Sequence, residues 1–94
     1  MRDNYSIFLS KEFKKQISKM SKEEGYQYEV LVSSGTVSSY KCPKEDVINN
    51  HIKHIVSDYE DEGYEVVASN GYIKGAGVYS ELYMRKAVEE KGGK

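Results

Sequence analysis

The sequence predicts an α+β fold, in which an N-terminal helix precedes a β-α-β-β unit and a central helix packs on one face of a three-stranded sheet. A stripe of apolar residues at helical spacing occupies residues 44–62, and Gly63 ends it. Apolar and polar residues then alternate over residues 64–69, as they do in a half-buried strand. Two more alternating stretches, residues 26–32 and 78–86, supply the remaining strands.

The central helix carries the clearest pattern. Pro43 suits the first helical position, and Glu45 and Asp46 in the first turn complement the positive end of the helix dipole. Gly63 stands where a left-handed residue is wanted after a helix. The apolar stripe consists of Ile48, Ile52, Ile55, Val56 and Tyr59.

The other elements follow from weaker signals. Ser10 is a suitable cap for a first helix over residues 11–24, with a narrow stripe of Phe13, Ile17 and Met20. Residues 33–41 form a polar, serine-rich connection. Ser69, Asn70 and Gly71 signal a turn, and residues 71–77 (GYIKGAG) form a glycine-rich loop or a twisted hairpin end.

The length of 94 residues predicts one domain, residues 1–94, with residues 1–9 as a loose lead-in and residues 87–94 as a frayed tail. No stretch has the length or apolar content of a membrane span. Residues 1–10 lack the apolar segment of a secretory signal. A single cysteine, Cys42, fits a reducing compartment, so we expect a cytoplasmic protein.

Charge is unevenly distributed along the chain. Residues 44–65 hold two basic and seven acidic side chains, between mildly basic ends. This distribution argues against a nucleic-acid-binding domain, which needs a concentrated basic face. Acidic residues crowd the last turn of the central helix, where the dipole favours cations. One reading is a solvated acidic helix end, and the other is a patch that binds a basic partner, formed by Asp58, Glu60, Asp61, Glu62 and Glu65.

The predicted sheet has two apolar faces. We expect the central helix to cover Val30, Val32, Val66, Ala68, Leu82 and Met84. The opposite face would show Leu31, Val67, Tyr79 and Tyr83. Either the first helix of the same chain covers this face, or a second copy does. The second case predicts a two-fold homodimer whose interface consists of Phe13, Ile17, Met20, Leu31, Val67 and Tyr83.

Catalytic and metal-binding patterns are weak. His51, His54 and Asp58 have spacing that would suit metal ligands on one helix face, but no second cluster completes a shell, and a polar helix flank is the simpler interpretation. Cys42 as a nucleophile would need a histidine base. We therefore expect no enzyme activity, no cofactor and no metal.

The pattern of strands and charged residues resembles a family of short bacterial and phage proteins with a YEY strand, a helix, an EGWELV strand and a last strand that ends in a basic residue. The resemblance covers roughly residues 26–86, and Tyr64 stands where the family has tryptophan. It implies a β-α-β-β fold, no established activity and no catalytic residues. The matching positions are Tyr28, Glu29, Val30, Glu62, Gly63, Tyr64, Glu65, Val66, Val67 and Arg85.

The sequence leaves open two candidate functions from different classes. The first is a small binding protein that acts through protein–protein contacts, such as an inhibitor encoded by a phage or mobile element, with the acidic patch placed against a basic surface. The second is a nucleotide-binding protein in which glycine amides and a lysine take phosphate and a tyrosine stacks on a base. Its loop would consist of Tyr72, Lys74, Gly75, Gly77 and Tyr79.

Overall fold

The computed structural model describes residues 9–88, and it confirms the predicted α+β fold. The strands form one antiparallel sheet in the order β1-β3-β2. The proposed lead-in and tail lie almost entirely outside the described residues. The elements are α1 (Lys11–Ser18), β1 (Tyr26–Thr36), a short 3-10 turn (Val37–Ser39), α2 (Lys44–Glu60), β2 (Tyr64–Lys74) and β3 (Gly77–Ala87).

The end of α2 agrees with the sequence pattern. Gly63 has a φ of +95°, and its N–H donates to the Glu60 carbonyl at 3.0 Å. A residue with a side chain would be strained at this angle, so glycine is what lets the chain turn from the helix into β2.

The first helix is shorter than predicted, because it ends at Ser18 rather than near residue 24. The Ser18 hydroxyl donates to the Lys15 carbonyl at 2.9 Å, a local bond that competes with helix continuation. The predicted cap is confirmed: the Ser10 side chain accepts a hydrogen bond from the Phe13 N–H.

All three strands are longer than their alternating patterns indicate. The predicted connection after β1 begins too early, because Ser33 and Gly35 pair with Ser80 and Val78 in the sheet. The turn predicted at residues 69–71 is wrong, because these residues pair with β3 inside β2. The glycine-rich segment forms the end of the hairpin between β2 and β3, with Lys74 paired to Gly77. Gly75, with a φ of +62°, is the first residue of the two-residue turn, as a type II′ turn requires.

The register corrects the predicted faces of the sheet. Directly paired residues point to the same side, and Leu31 pairs with Leu82 while Val30 pairs with Tyr83. Val30, Val32 and Ala68 therefore lie on the face away from α2, and Leu31 lies on the α2 side. The error arises because β1 has three consecutive apolar residues, and a shift of one residue exchanges the two faces. Val67 is the extra residue of a β-bulge between Val66 and Ala68.

The α1 helix of the same chain packs against the face of the sheet away from α2. Ser10, at the start of α1, donates to Glu81 of β3 through its backbone N–H at 2.6 Å and its hydroxyl at 3.0 Å. Phe13 is 1% exposed and Tyr83 is 4% exposed within the single chain. The six residues predicted as a dimer interface therefore do not form one surface, since two of them are already buried and Leu31 lies on the other face.

Candidate functional site

An open groove of about 510 Å³ lies between the C-terminal half of α2 and the edge strand β2. The helix and the strand approach closely at the other end of this contact, where a Cβ on Gly71 would clash with Ile48 Cγ2. Only glycine fits there, so α2 packs directly on β2 at Gly71. The groove lies between the two elements further along the helix. The groove is lined by Ile52, Lys53, Val56, Ser57, Glu60, Glu65 and Val66.

The lining combines an apolar floor with charged edges. Ile52 and Val56 come from consecutive turns of α2, and Val66 comes from the α2 side of β2. All three are partly exposed, because the sheet formed by residues 9–88 ends at β2, with no further strand beside it. Lys53 and Glu60 are exposed at the edges. Such a surface suits a chain segment with both apolar and charged side chains.

The structure divides the predicted acidic patch. Asp58, Glu60, Asp61 and Glu62 are all exposed at the C-terminal end of α2, and Glu60 also lines the groove. Glu65 borders the groove, but its carboxylate accepts a hydrogen bond from Arg85 on the α1 side of the sheet. Among residues 9–88, these four helix-end carboxylates form no salt bridge, and the negative end of the α2 dipole adds to their charge.

Arg85 belongs to an aromatic cluster on the α1 side. Its guanidinium lies 4.0 Å from the centroid of the Tyr26 ring, and Tyr28 stacks on Tyr83 with ring centroids 5.5 Å apart. Hydrogen bonds to Tyr28 and then to Glu65 raise the pKa of Arg85. These groups satisfy one another's hydrogen-bonding and charge requirements. Packing within the cluster therefore accounts for part of the high tyrosine content.

In the hairpin predicted as a ligand loop, the tyrosine rings pack against each other. Tyr72 and Tyr79 stack on each other with centroids 5.2 Å apart, on the α1 side of the sheet. Gly77 lies against Tyr79, because a Cβ there would be 2.9 Å from the tyrosine hydroxyl. Burial, and then the charge of Glu81, raise the pKa of Tyr72. The structure brings Tyr72, Gly77 and Tyr79 together and leaves Lys74 and Gly75 exposed at the turn.

The two histidines of α2 point in different directions. His51 is buried, with Nδ1 2.6 Å from the Ser80 hydroxyl, whereas His54 is exposed. Among residues 9–88 no three His, Cys, Asp or Glu side chains are gathered as metal ligands would be. Cys42 is half-buried, and its Sγ accepts a 3.4 Å hydrogen bond from Asn50.

The burial of His51 predicts a dependence of stability on acid. Burial, and then the nearby His54, lower the pKa of His51 below its usual 6.5, against the effect of a hydrogen bond to the Ser34 backbone. The unfolded chain therefore binds the proton more tightly, so the free energy of unfolding should fall as pH drops below 6.5 and level off below the folded-state pKa.

Urea unfolding at several pH values measures this effect. We expect His51→Gln to lower stability at pH 8 and to flatten the slope between pH 7 and pH 5. His54→Gln, at the exposed histidine, is the control and should retain most of the slope. An unchanged slope in His51→Gln would contradict the assignment.

Two features of the structure escape sequence reasoning. The groove residues Ile52, Val56 and Val66 read as ordinary core positions, because nothing in the chain shows that β2 is an edge strand. Glu81 reads as a surface residue of an alternating strand, yet it is fully buried in the described structure.

Comparison with family models, with curated proteins and with solved structures gives no match for this chain. The family resemblance stated above therefore stays a prediction. In residues 9–88, no helix has both the length and the apolar character needed to cross a bilayer.

Proposed function

We propose that this protein is a small, non-enzymatic binding protein that recognises a segment of a partner protein in the groove between α2 and β2. The observation that carries the proposal is the partly exposed apolar floor of Ile52, Val56 and Val66 beside exposed carboxylates. An apolar centre beside a polar rim is a common arrangement in protein interaction sites. The groove lies on two rigid elements, so it is formed before a partner arrives.

The charge of the site specifies the kind of segment. Asp58, Asp61 and Glu62 lie at the helix end, and Glu60 connects them to the groove. A segment with apolar side chains for the floor and lysine or arginine beside them complements both parts. Long-range attraction of this kind accelerates association and weakens as salt rises. If the basic segment is the nucleic-acid-binding surface of the partner, occupation of the groove makes the protein an inhibitor. The free thiol of Cys42 fits action in the cytoplasm.

Peptide display against the immobilised protein tests the proposal. The expected outcome is enrichment of peptides that combine apolar residues with lysine or arginine. We expect Val56→Glu to weaken binding of an enriched peptide by at least tenfold, because it places a carboxylate on the apolar floor. His54→Glu adds the same charge on another side of α2 and should leave the affinity within about twofold. Equal effects of the two variants, or no enriched peptide at low and moderate salt, would contradict the proposal.

A charge variant tests the acidic end of α2 separately from the apolar floor of the groove. Asp58→Asn, Asp61→Asn and Glu62→Gln together remove three exposed carboxylates without changing the groove. We expect the association rate to fall and its salt dependence to flatten, with a smaller change in the dissociation rate. Stopped-flow fluorescence with a labelled peptide distinguishes the two rates.

A further inference from the structure

The two edges of the sheet differ in how well they are protected. β2 carries a β-bulge, and α2 is seated beside it. β1 pairs with β3 over all eleven residues without a break in register. A bulge discourages pairing with another strand, whereas a long regular edge is a template for it. Within residues 9–88, the less protected edge is therefore that of β1, although the backbone of Ser34 near its end is hydrogen-bonded to His51.

The backbone pattern shows which groups face outward from β1. The Val88 N–H donates to the Gly25 carbonyl at 2.8 Å, and the Val37 N–H donates to the Ala76 carbonyl at 2.8 Å. Antiparallel pairs alternate, so odd-numbered residues of β1 turn their backbone groups towards β3 and even-numbered ones turn them outward. Within residues 9–88, the outward backbone groups of Tyr28, Val30 and Val32 have no hydrogen-bonding partner.

The side chains of β1 are nearly self-complementary about the midpoint of the strand. Glu29 is the single charged residue in β1, and Leu31 is its central residue. Leu31 is partly exposed on the α2 side of the sheet, beside the fully buried Leu82. An antiparallel pair of two β1 strands centred on Leu31 places Val30 opposite Val32 and Glu29 opposite Ser33. The outward backbone groups of one copy then face those of the other copy, and no like charges lie opposite each other.

We propose that β1 pairs antiparallel with β1 of a second copy of this chain, about a two-fold axis at Leu31, so that both sheets become one. A second copy is the occupant that this edge fits, because the same strand read in reverse places the apolar Val30, Leu31 and Val32 against one another at the centre of the pair. The arrangement is closed, since each copy uses its one regular edge and the bulged edge of β2 stays at the outside. It also leaves the groove of each copy exposed, so the dimer presents two grooves.

Cross-linking tests the position of the axis. Residues that face each other without mutual hydrogen bonds have Cα atoms about 4.5 Å apart, within the range that a disulfide spans. In a Cys42→Ser background, we expect Leu31→Cys to form a disulfide-linked dimer under mild oxidation. Glu29→Cys lies on the same face, but its two copies would be four residues apart along the strands, about 13 Å, and should not cross-link. Equal cross-linking of the two variants would overturn the register.

Light scattering of the wild-type protein at micromolar concentration tests the assembly itself. The expected mass is twice that of the 10.7 kDa chain, and a mass of one chain would overturn the proposal. Val30→Pro removes an outward N–H and leaves the bonds between β1 and β3 in place, so it should give a folded monomer by circular dichroism and light scattering. Val30→Thr keeps the N–H and should stay dimeric. If Val30→Pro does not fold, the Leu31→Cys result still decides between the outcomes.

Discussion

Replacing Glu81 by alanine should lower the free energy of unfolding by about 3–4 kcal/mol and release α1 from the sheet. The carboxylate is fully buried and accepts three hydrogen bonds, two from Ser10 and one from the Asn70 side chain at 2.7 Å. It also lies at the positive end of α1, which favours a negative charge. Without it, three partly buried donors lose their acceptor, and each loss costs about 1–3 kcal/mol before water enters.

Urea unfolding and hydrogen exchange check this result. Exchange of the α1 amides should rise more in Glu81→Ala than exchange of the α2 amides. Glu65→Ala is the matched control, because its carboxylate pairs with Arg85 but its side chain is 56% exposed, so the change should cost at most about 1 kcal/mol. If the two variants were equally stable, Glu81 would not anchor α1.

Truncation of Leu82 to alanine should cost about 3–5 kcal/mol, the range for a fully buried leucine. Leu82 is on the central strand and faces α2, with Leu31 and Ser69 beside it on the neighbouring strands. The cavity cannot collapse easily, because strands flank it on both sides and the helix lies above.

The control for Leu82 is Val88→Ala, since Val88 is 48% exposed just beyond β3. We expect Val88→Ala to shift the urea midpoint by less than about a tenth of the shift that Leu82→Ala causes. A cost for Leu82→Ala below about 1 kcal/mol would mean that α2 does not pack on the centre of the sheet.

Much of the fold was predictable because its signals are local. The helical stripe of α2, the left-handed glycine after it and the alternation of β3 each depend on residues that are neighbours in the chain. These signals correctly predicted the α+β class and the cap at Ser10. Local signals predicted less well where they conflict, as in β1, where Val30, Leu31 and Val32 are all apolar and the pattern does not show which of them faces α2.

The candidate site was only partly predictable. The acidic residues at the end of α2 were evident from composition, but the groove beside them was not. The groove exists because β3 inserts between β1 and β2 and leaves β2 at an edge. The same order turns Glu65 away towards Arg85, so one residue of the predicted patch is paired.

The amino-acid sequence by itself determined the number and order of helices and strands, where α2 stops and where the negative charge gathers, because these depend on periodicity and on backbone preferences of single residues. Only the tertiary structure decided strand order, register and the burial of charge. Glu81 illustrates the reason: its partners Ser10 and Asn70 are 71 and 11 residues away in the chain. A carboxylate is stable inside the protein only when such distant donors converge on it, and no local pattern records that convergence.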